Sequence, residues 1–478
     1  MKLKTLIKNL PVHVKGSKEI AISGLCADSR RCKQGDLFIA KRGKNFDGTQ
    51  YVHNALNAGA IAVLSDLYDP FCNALQLITP DVSFVEAELA RRFYLDPSSQ
   101  LYMVGITGTN GKTTTSYLVR HLLGSCGLIG TIEAIVGDHH FPSDLTTPDV
   151  IALQKLLSEM VQEKMEACVM EVSSHALDQG RTSGVAYDIG IFTNLTQDHL
   201  DYHQNMDNYL RAKQKLFTNL KKCAILNADC PYHKHMKTKA PILTYGIDTS
   251  ADLRAFDLEL SPSGIAFTLV HQKSSQRLTC PLIGRFNVSN CLAAIATAIT
   301  YGLSLPTIAQ RLQTFSAVPG RLEKIPNHRG LHIYVDYAHT EDALHNVLST
   351  LREITTGRLL TLFGCGGERD QDKRPKMGSV ATRHSDHIVI TSDNPRGEDP
   401  HAICQDILKG CTGPHTLELD RKLAIQKLIE LARPGDVLLI AGKGHERTQT
   451  FSDRINPFDD REIARQICLD PHLYTERE

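Results

Sequence analysis

The chain has 478 residues, 42% hydrophobic and 22% charged, with 53 basic side chains balancing 53 acidic ones. That length exceeds what one hydrophobic core usually serves, so two or three domains are expected. The balanced charge argues against a nucleic-acid partner, and no apolar run approaches the roughly 20 residues that cross a bilayer.

The N-terminus, MKLKTLIKNLPVHVKG, lacks a continuous apolar core and a small-residue cleavage site, so it does not read as a signal peptide. The 13 cysteines are scattered without a C-x-x-C pair, the pattern of reduced thiols in a cytoplasmic enzyme. Residues 1–98 read as a small α/β domain. Leu37–Ala40 and Ala60–Leu64 are expected as buried strands, with a helix over Tyr51–Asn57 between them. Asp28-Ser29-Arg30 and the polar run Lys41–Gly48 are placed in loops, with no phosphate loop or catalytic cluster nearby.

Asp96-Pro97-Ser98-Ser99 reads as a linker, after which the apolar run Leu101–Ile106 ends in Thr107-Gly108-Thr109-Asn110-Gly111 and enters a helix at Lys112. Strand, glycine loop and helix in that order present backbone N–H groups and a helix N-terminus to an anion. Lys112 would reach the β/γ-phosphates of ATP or GTP, and the Thr113 hydroxyl, followed by Thr114, would sit on Mg²⁺. The strict G-x-x-x-x-G-K-[ST] spacing is missed by one residue, since Ile106 holds its first position and Gly105 lies one place early. The alternative is a strand-to-helix turn that merely contains glycines.

A short strand at Cys126–Thr131 and a polar turn, Asp144–Pro148, precede a helix with Ile151, Leu153, Leu156, Leu157 and Met160 on one face. The next strand, Ala167–Val172, carries one charge, Glu171, near its carboxyl end, where open α/β sheets bind ligands. Glu171 is a candidate for the Mg²⁺ site; the alternative is an acid exposed at a strand end. A strand over Asp188–Thr193 leads into DHLDYH, where His199 and His203 stand at i, i+4. A zinc pair there lacks a third soft ligand, whereas the carboxylates and the phosphate loop favour Mg²⁺. In the following helix Tyr209, Lys213, Leu216, Phe217 and Leu220 share a face. Lys213 on an apolar stripe either snorkels to water or, with its pKa lowered by burial, reacts as a neutral amine, for example with CO₂.

Arg285–Asn290 reads as a loop feeding an alanine-rich helix over Cys291–Thr300. From about residue 327 the strands Leu331–Val335, Leu359–Phe363, His387–Thr391 and Val437–Ala441 alternate with helical segments, a doubly wound pattern. GCGGERD (Gly364–Asp370) is a weak dinucleotide fingerprint, because Arg369 occupies the third glycine position.

Together DSR…GDLFIA, TGTNGKTTT, TTPD, MEVSSHALDQGR, FTNLTQDHLDYH, GRFNVSN, GRLE, VDYAHT, GCGGERD, DNPR and AGKGHE resemble the Mur ligases, in the branch that adds meso-diaminopimelate. The resemblance covers nearly the whole chain. It implies three domains: a small N-terminal α/β domain for the UDP end of the substrate (1–98), a central P-loop ATPase with a mostly parallel sheet (99–326), and a C-terminal Rossmann-like domain for the amino acid (327–478). It implies ATP-dependent amide synthesis on UDP-MurNAc-L-Ala-D-Glu with Mg²⁺, by a cytoplasmic monomer without nucleic-acid or membrane partners.

By the same resemblance Gly108 to Thr114 hold ATP with Asn290, Arg321, Asp336 and His339. Thr113, Glu171 and His199 are magnesium ligands, joined by Lys213 as a carbamate; Lys112, Glu171, His199 and Lys213 form the catalytic set. Ser29, Lys44, Asn45 and Phe46 fall at the uridine end, and Leu145, Thr146, Thr147, Ser173, Gln179 and Arg181 along the muramoyl dipeptide. Phe46 and Leu145 depart from polar residues at the family's matching positions. Arg369, Asp393, Asn394, Pro395, Arg396, Gly442 and Glu446 match the diaminopimelate site. A lysine-adding or folate-type ligase is the rival within the superfamily, and Arg396 discriminates, because lysine has no second carboxylate to offer it. An oxidoreductase built on GCGG and a regulatory NTPase are rivals from other classes.

Overall fold

The computed structural model describes residues 1–43 and 47–469, so Lys44, Asn45 and Phe46 lie outside the described residues. The chain divides into two compact units, Met1–Leu253 with Leu292–Leu303, and Arg254–Cys291 with Ser304 onward. Among the described residues no helix is long and apolar enough to cross a membrane.

The first unit holds two sheets. The N-terminal one comprises β1 (His13–Lys15), β2 (Gly24–Cys26), β3 (Asp36–Ile39), β4 (Ala62–Ser65) and β5 (Leu75–Ile78), in the order β1-β5-β4-β3-β2. The strands β2 to β5 pair in parallel, and aliphatic residues such as Leu37, Ile39 and Leu64 fill the core on one face. The second sheet contains β6 (Tyr102–Thr107), β7 (Cys126–Ile129), β8 (Glu133–Val136), β9 (His139–Pro142), β10 (Ala167–Glu171), β11 (Ile189–Phe192), β12 (Cys223–Asn227) and β13 (Ile242–Gly246). Its order is β13-β12-β11-β6-β10-β7-β8-β9, parallel from β13 to β7. The glycine-loop strand β6 therefore lies between β11 and β10, and Glu171 pairs in register with Ile106. Both sit at the carboxyl edge, where parallel sheets place ligands.

The segment expected as a linker is packed. Pro97 and Ser98 are buried in a short 3₁₀ turn, and Ser98 Oγ accepts the Ala186 N–H at 3.2 Å. The apolar core of the N-terminal sheet also takes in Val150 and Ile151 from the helix Val150–Gln162. A further difference lies after DHLDYH. The helix Met206–Gln214, capped by Asn205, tightens into 3₁₀ at Lys215–Phe217 instead of running on to Leu220.

The second unit opens with the antiparallel strands β14 (Leu253–Ser261), β15 (Gly264–His271) and β16 (Ser274–Cys280), which the sequence reading passed over. Arg285–Asn290 is helical rather than a loop, as the start of a helix running to Tyr301. The polar residues fit because Asn287 Nδ2 donates to the Ile283 carbonyl and Asn290 Nδ2 to Asn287 Oδ1, both at 2.8 Å. The doubly wound sheet comprises β17 (Glu323–Ile325), β18 (His332–Asp336), β19 (Leu359–Phe363), β20 (His387–Ile390), β21 (His415–Leu417) and β22 (Val437–Ala441), in the order β17-β18-β22-β19-β20-β21. All but β17 run parallel. A small hairpin, β23 (Thr448–Thr450) and β24 (Ile455–Pro457), follows. Aliphatic side chains line both faces of the central strands, which accounts for their unbroken apolar sequences.

Candidate active site

The glycine loop is shaped by close approach. A Cβ on Gly108 would lie 1.8 Å from Thr193 Oγ1, and Gly111 takes φ +84° directly before the helix Lys112–Leu123. Gly111 offers no capping side chain at this helix start, the kind of position that favours an anion. Lys112 folds back over the loop, its Nζ donating to the carbonyls of Gly108 at 3.0 Å and Thr109 at 2.8 Å.

Glu171 is fully buried, which excludes the reading of an acid exposed at a strand end. Thr113 Oγ1 and Thr131 Oγ1 both donate to its Oε2 at 3.0 Å, and the Thr131 N–H donates to Oε1 at 2.8 Å. A buried carboxylate with hydroxyls around it and a phosphate loop beside it is a hard-oxygen donor set suited to Mg²⁺. The network continues outward. Thr147 Oγ1 donates to the Glu171 carbonyl at 2.9 Å and accepts the Ser173 N–H at 3.1 Å, and Thr131 Oγ1, its proton given to Glu171, lies 3.1 Å from the Thr146 hydroxyl, which it can accept. Arg181 reaches the Thr147 carbonyl at 3.1 Å and clamps Gln179 Oε1 through Nε and Nη2. Seven of the expected residues therefore meet in one network: Thr113, Thr146, Thr147, Glu171, Ser173, Gln179 and Arg181. Leu145 stands apart as an exposed side chain. Thr131, which joins the residues expected at the magnesium and dipeptide sites, escaped the sequence reading; its place after β7 beside the Glu171 strand was the available signal.

His199 takes a left-handed backbone, φ +53°, at the start of a single helical turn. The zinc pairing finds no third ligand, since the three-residue group able to hold a metal ion among the described residues lies elsewhere. His203 is buried with Nε2 2.9 Å from Ser174 Oγ, and its ring stacks on Tyr209, whereas His199 packs against His175 with centroids 4.9 Å apart. Lys213 does not snorkel. It is 1% exposed, its Nζ donates to the Gly108 carbonyl at 2.8 Å, and it lies 4.4 Å from the Tyr209 ring centroid. Burial, and then the nearby charge of Lys112, hold its pKa well below the usual lysine value against the opposing pull of Asp198.

Elsewhere in the first unit, Ser29 is buried in a 3₁₀ turn capped by Asp28, which also pairs with Arg30 at 2.8 Å.

In the second unit, Asp336 ends β18 and accepts the N–H groups of Leu322 at 2.7 Å and Ala338 at 2.8 Å. Burial pushes its carboxyl above the usual range, opposed by Arg321 and those N–H groups. Arg321 stacks over the Tyr337 ring at 4.9 Å, and His339 Nδ1 lies 2.8 Å from the Tyr337 carbonyl.

The loops after β19, β20 and β22 converge. Arg396 adopts φ +52° and donates to the Gly367 carbonyl at 2.8 Å, on the loop that carries Arg369. Asn394 Nδ2 donates to Glu446 Oε2 at 2.9 Å, and a Cβ on Gly442 would meet Asp393 Oδ2 at 2.8 Å. Pro395 brings its carbonyl against Gly367, where a Cβ would stand 1.9 Å away. At the centre of this cluster is Lys443, fully buried, with Nζ 2.9 Å from Asn394 Oδ1, 3.3 Å from Glu446 and 3.4 Å from Asp393. Beneath it Arg421 makes a buried two-pronged pair with Asp460 and donates to the Ser392 and Ala441 carbonyls, tying the ends of the two strands together. Lys443 and Arg421 were both missed, although a lone lysine directly after the apolar strand β22 was visible.

Three family models match in order: "Mur ligase family, catalytic domain" over residues 21–94, "Mur ligase middle domain" over 106–298 and "Mur ligase, glutamate ligase domain" over 320–444. The chain belongs to the Mur ligase family. Membership makes it an ATP-dependent amide ligase. Among its relatives, the UDP-N-acetylmuramoyl-L-alanyl-D-glutamate–2,6-diaminopimelate ligase of Geobacillus thermodenitrificans (strain NG80-2) is 43% identical, covering 97% of this chain and 99% of that one. The enzyme of the same name from Chlamydia felis (strain Fe/C-56) is 42% identical, covering 98% and 99%. A solved structure of a ligase with that name matches with a TM-score of 0.74 and 33% identity, covering 98% of both chains.

Proposed function

We propose that this ligase joins meso-diaminopimelate to the D-glutamyl carboxylate of UDP-MurNAc-L-Ala-D-Glu, consuming ATP, in peptidoglycan precursor synthesis in the cytoplasm. The 33–43% identity over nearly the whole length to enzymes of that name carries the reading. The cluster of Arg396, Asp393, Asn394 and Glu446 supports it, since it offers both a guanidinium and carboxylates to an amino-acid centre. We further propose three functional domains, 1–98 for the UDP end with Ser29, Lys44, Asn45 and Phe46, 99–326 for phosphoryl transfer, and 327–478 for the amino acid, in a monomer.

In this reading the D-glutamyl carboxylate attacks the γ-phosphate of ATP. The resulting acyl phosphate gives a poor electrophile a leaving group, and the amine of diaminopimelate then displaces phosphate through a tetrahedral intermediate, leaving ADP. Two anions must meet, so charge neutralisation is the main demand on the protein. Lys112 would leave the loop carbonyls for the phosphates, and the loop Gly108 to Thr114 would cradle them, its Thr109 and Asn110 N–H groups being held by Asn194. Thr113, Glu171, His199 and a carbamylated Lys213 would hold Mg²⁺, which supplies positive charge to the phosphates when bound. Asn290, Arg321, Asp336 and His339 would hold the remainder of ATP. Thr146, Thr147, Ser173, Gln179 and Arg181 would line the dipeptide; Leu145 is proposed only as an apolar neighbour. Arg369, Pro395, Arg396, Gly442 and Glu446 would receive diaminopimelate with Asp393 and Asn394.

Phosphate release with the UDP-muramoyl dipeptide, measured with meso-diaminopimelate, with lysine and without amino acid, tests the assignment. Release dependent on the dipeptide and strongest with diaminopimelate is expected. Equal stimulation by lysine would overturn the substrate assignment, and release indifferent to the dipeptide would overturn the ligase reading of this site.

A further inference from the structure

Cys26, Cys32 and Asp36 bring two thiols and a carboxylate together, with one donor atom from each lying within 4.8 Å of the others. The spacing C-x₅-C-x₃-D does not announce this, and the fold explains it. Gly24 pairs with Asp36 across the parallel strands β2 and β3, so Cys26, two residues along β2, projects to the same face as Asp36. The 3₁₀ turn Ser29–Arg31 then folds the chain back, and Cys32 at its end returns to that face. Cys26 and Asp36 are buried, while Cys32 is half-buried and gives access from solvent.

The carboxylate is already oriented. Lys33 N–H donates to Asp36 Oδ2 at 2.9 Å, and Gly24 leaves room for Oδ1, which would lie 2.3 Å from a Cβ at that position. A tetrahedral ion with metal–sulfur bonds of about 2.3 Å separates its sulfurs by about 3.8 Å, inside the 4.8 Å that bounds the donor atoms here. Burial, and then the neighbouring Cys26 thiol, raise the Cys32 pKa.

We propose that Cys26, Cys32 and Asp36 form a site for a thiophilic divalent cation of the zinc class, with water in the fourth position. Binding exchanges two protons for one ion: both thiols deprotonate, two metal–sulfur bonds form, and the protons pass to solvent. The site is separate from the phosphate-loop cluster and does not depend on the substrate assignment.

Cobalt(II) titration of the full-length protein under a reductant that does not bind metal is the test, because thiolate ligation gives a near-ultraviolet charge-transfer band. One equivalent should produce the band, zinc should bleach it, and Cys26→Ser and Cys32→Ser should each lose it with unchanged far-ultraviolet circular dichroism. Ten or more other cysteines remain in those variants, so they control for adventitious thiol binding. A band retained in the Cys26→Ser/Cys32→Ser variant, or no band in the reduced wild type, would overturn the proposal. So would a Cys26–Cys32 disulfide as the pair's only chemistry, seen as a loss of two hydrogens in the unreduced mass while the reduced protein takes up no cobalt.

Discussion

Lys112 and Lys213, 101 positions apart, donate to the same acceptor, the carbonyl of Gly108, at 3.0 and 2.8 Å. Two ammonium groups on one oxygen, one of them buried, favour loss of a proton from Lys213. A neutral amine there can add CO₂, forming an N–C bond and releasing one proton, which replaces a cation by a carbamate anion. Lys213→Ala is expected to be nearly inactive and partly rescued by short-chain carboxylic acids that stand in for the carbamate. Native mass spectrometry under CO₂ should show one added CO₂ in wild type and none in the variant. An active wild type with an unmodified ammonium would count decisively against the carbamate.

Arg396 is expected to set the preference for diaminopimelate. A guanidinium binds a carboxylate through two parallel hydrogen bonds, while lysine as substrate would leave it unpaired and facing like charge. Removing one partner of a buried pair costs about 3–5 kcal/mol, about two to three and a half powers of ten. Arg396→Ala should lose that much kcat/KM with diaminopimelate while lysine stays poor, and Arg396→Lys should restore little. Steady-state kinetics with both amino acids decide it; similar wild-type values would sink the assignment.

Lys443 holds two carboxylates, Asp393 and Glu446, in a cluster it shares with Asn394. Lys443→Met keeps the length of the side chain but leaves both acids without their buried cation. KM for diaminopimelate should rise at least tenfold, while KM for ATP moves little. Stability should fall by about 3–5 kcal/mol, the cost of breaking a buried pair from one side. Equal increases in both KM values would point to general loosening instead of a local role.

Asp436 supplies the pH dependence. Burial alone would raise its pKa, but the Arg358 side chain and the N–H groups of Arg433 and Arg358 outweigh that and hold it below the usual range. A depressed carboxylate contributes stability that is complete above the unfolded pKa of about 3.9 and is lost as pH falls through the folded value. Asp436→Asn should therefore be about 1.5–3 kcal/mol less stable near neutrality, with the gap closing below about pH 4. Urea unfolding across pH reads this, and a gap that widens in acid would contradict the pairing.

How much of this was legible in the sequence depended on how local each cause was. The strand Val437–Ala441 was placed to the residue, because an aliphatic run bounded by Pro-Gly-Asp and Gly-Lys-Gly has few other options. The phosphate loop was legible for the same reason. The apolar stripe holding Lys213 was visible, but its acceptor lies on a loop more than a hundred residues away. Arg285–Asn290 was misread because asparagine and serine are weak helix formers, and the compensation, Asn290 on Asn287 and Asn287 on Ile283, is tertiary. The alternating residues of β15, Gly264–His271, were present and passed over, although a period of two is a strand signal.

Val150 and Ile151, on a helix well downstream of Asp96–Ser99, complete the apolar layer of the N-terminal sheet. A fragment ending near residue 98 would therefore lack part of its own apolar core. The remainder of the chain, without residues 1–98, would expose Val150 and Ile151 to water. The N-terminal sheet and the helix Val150–Gln162 therefore share one apolar layer.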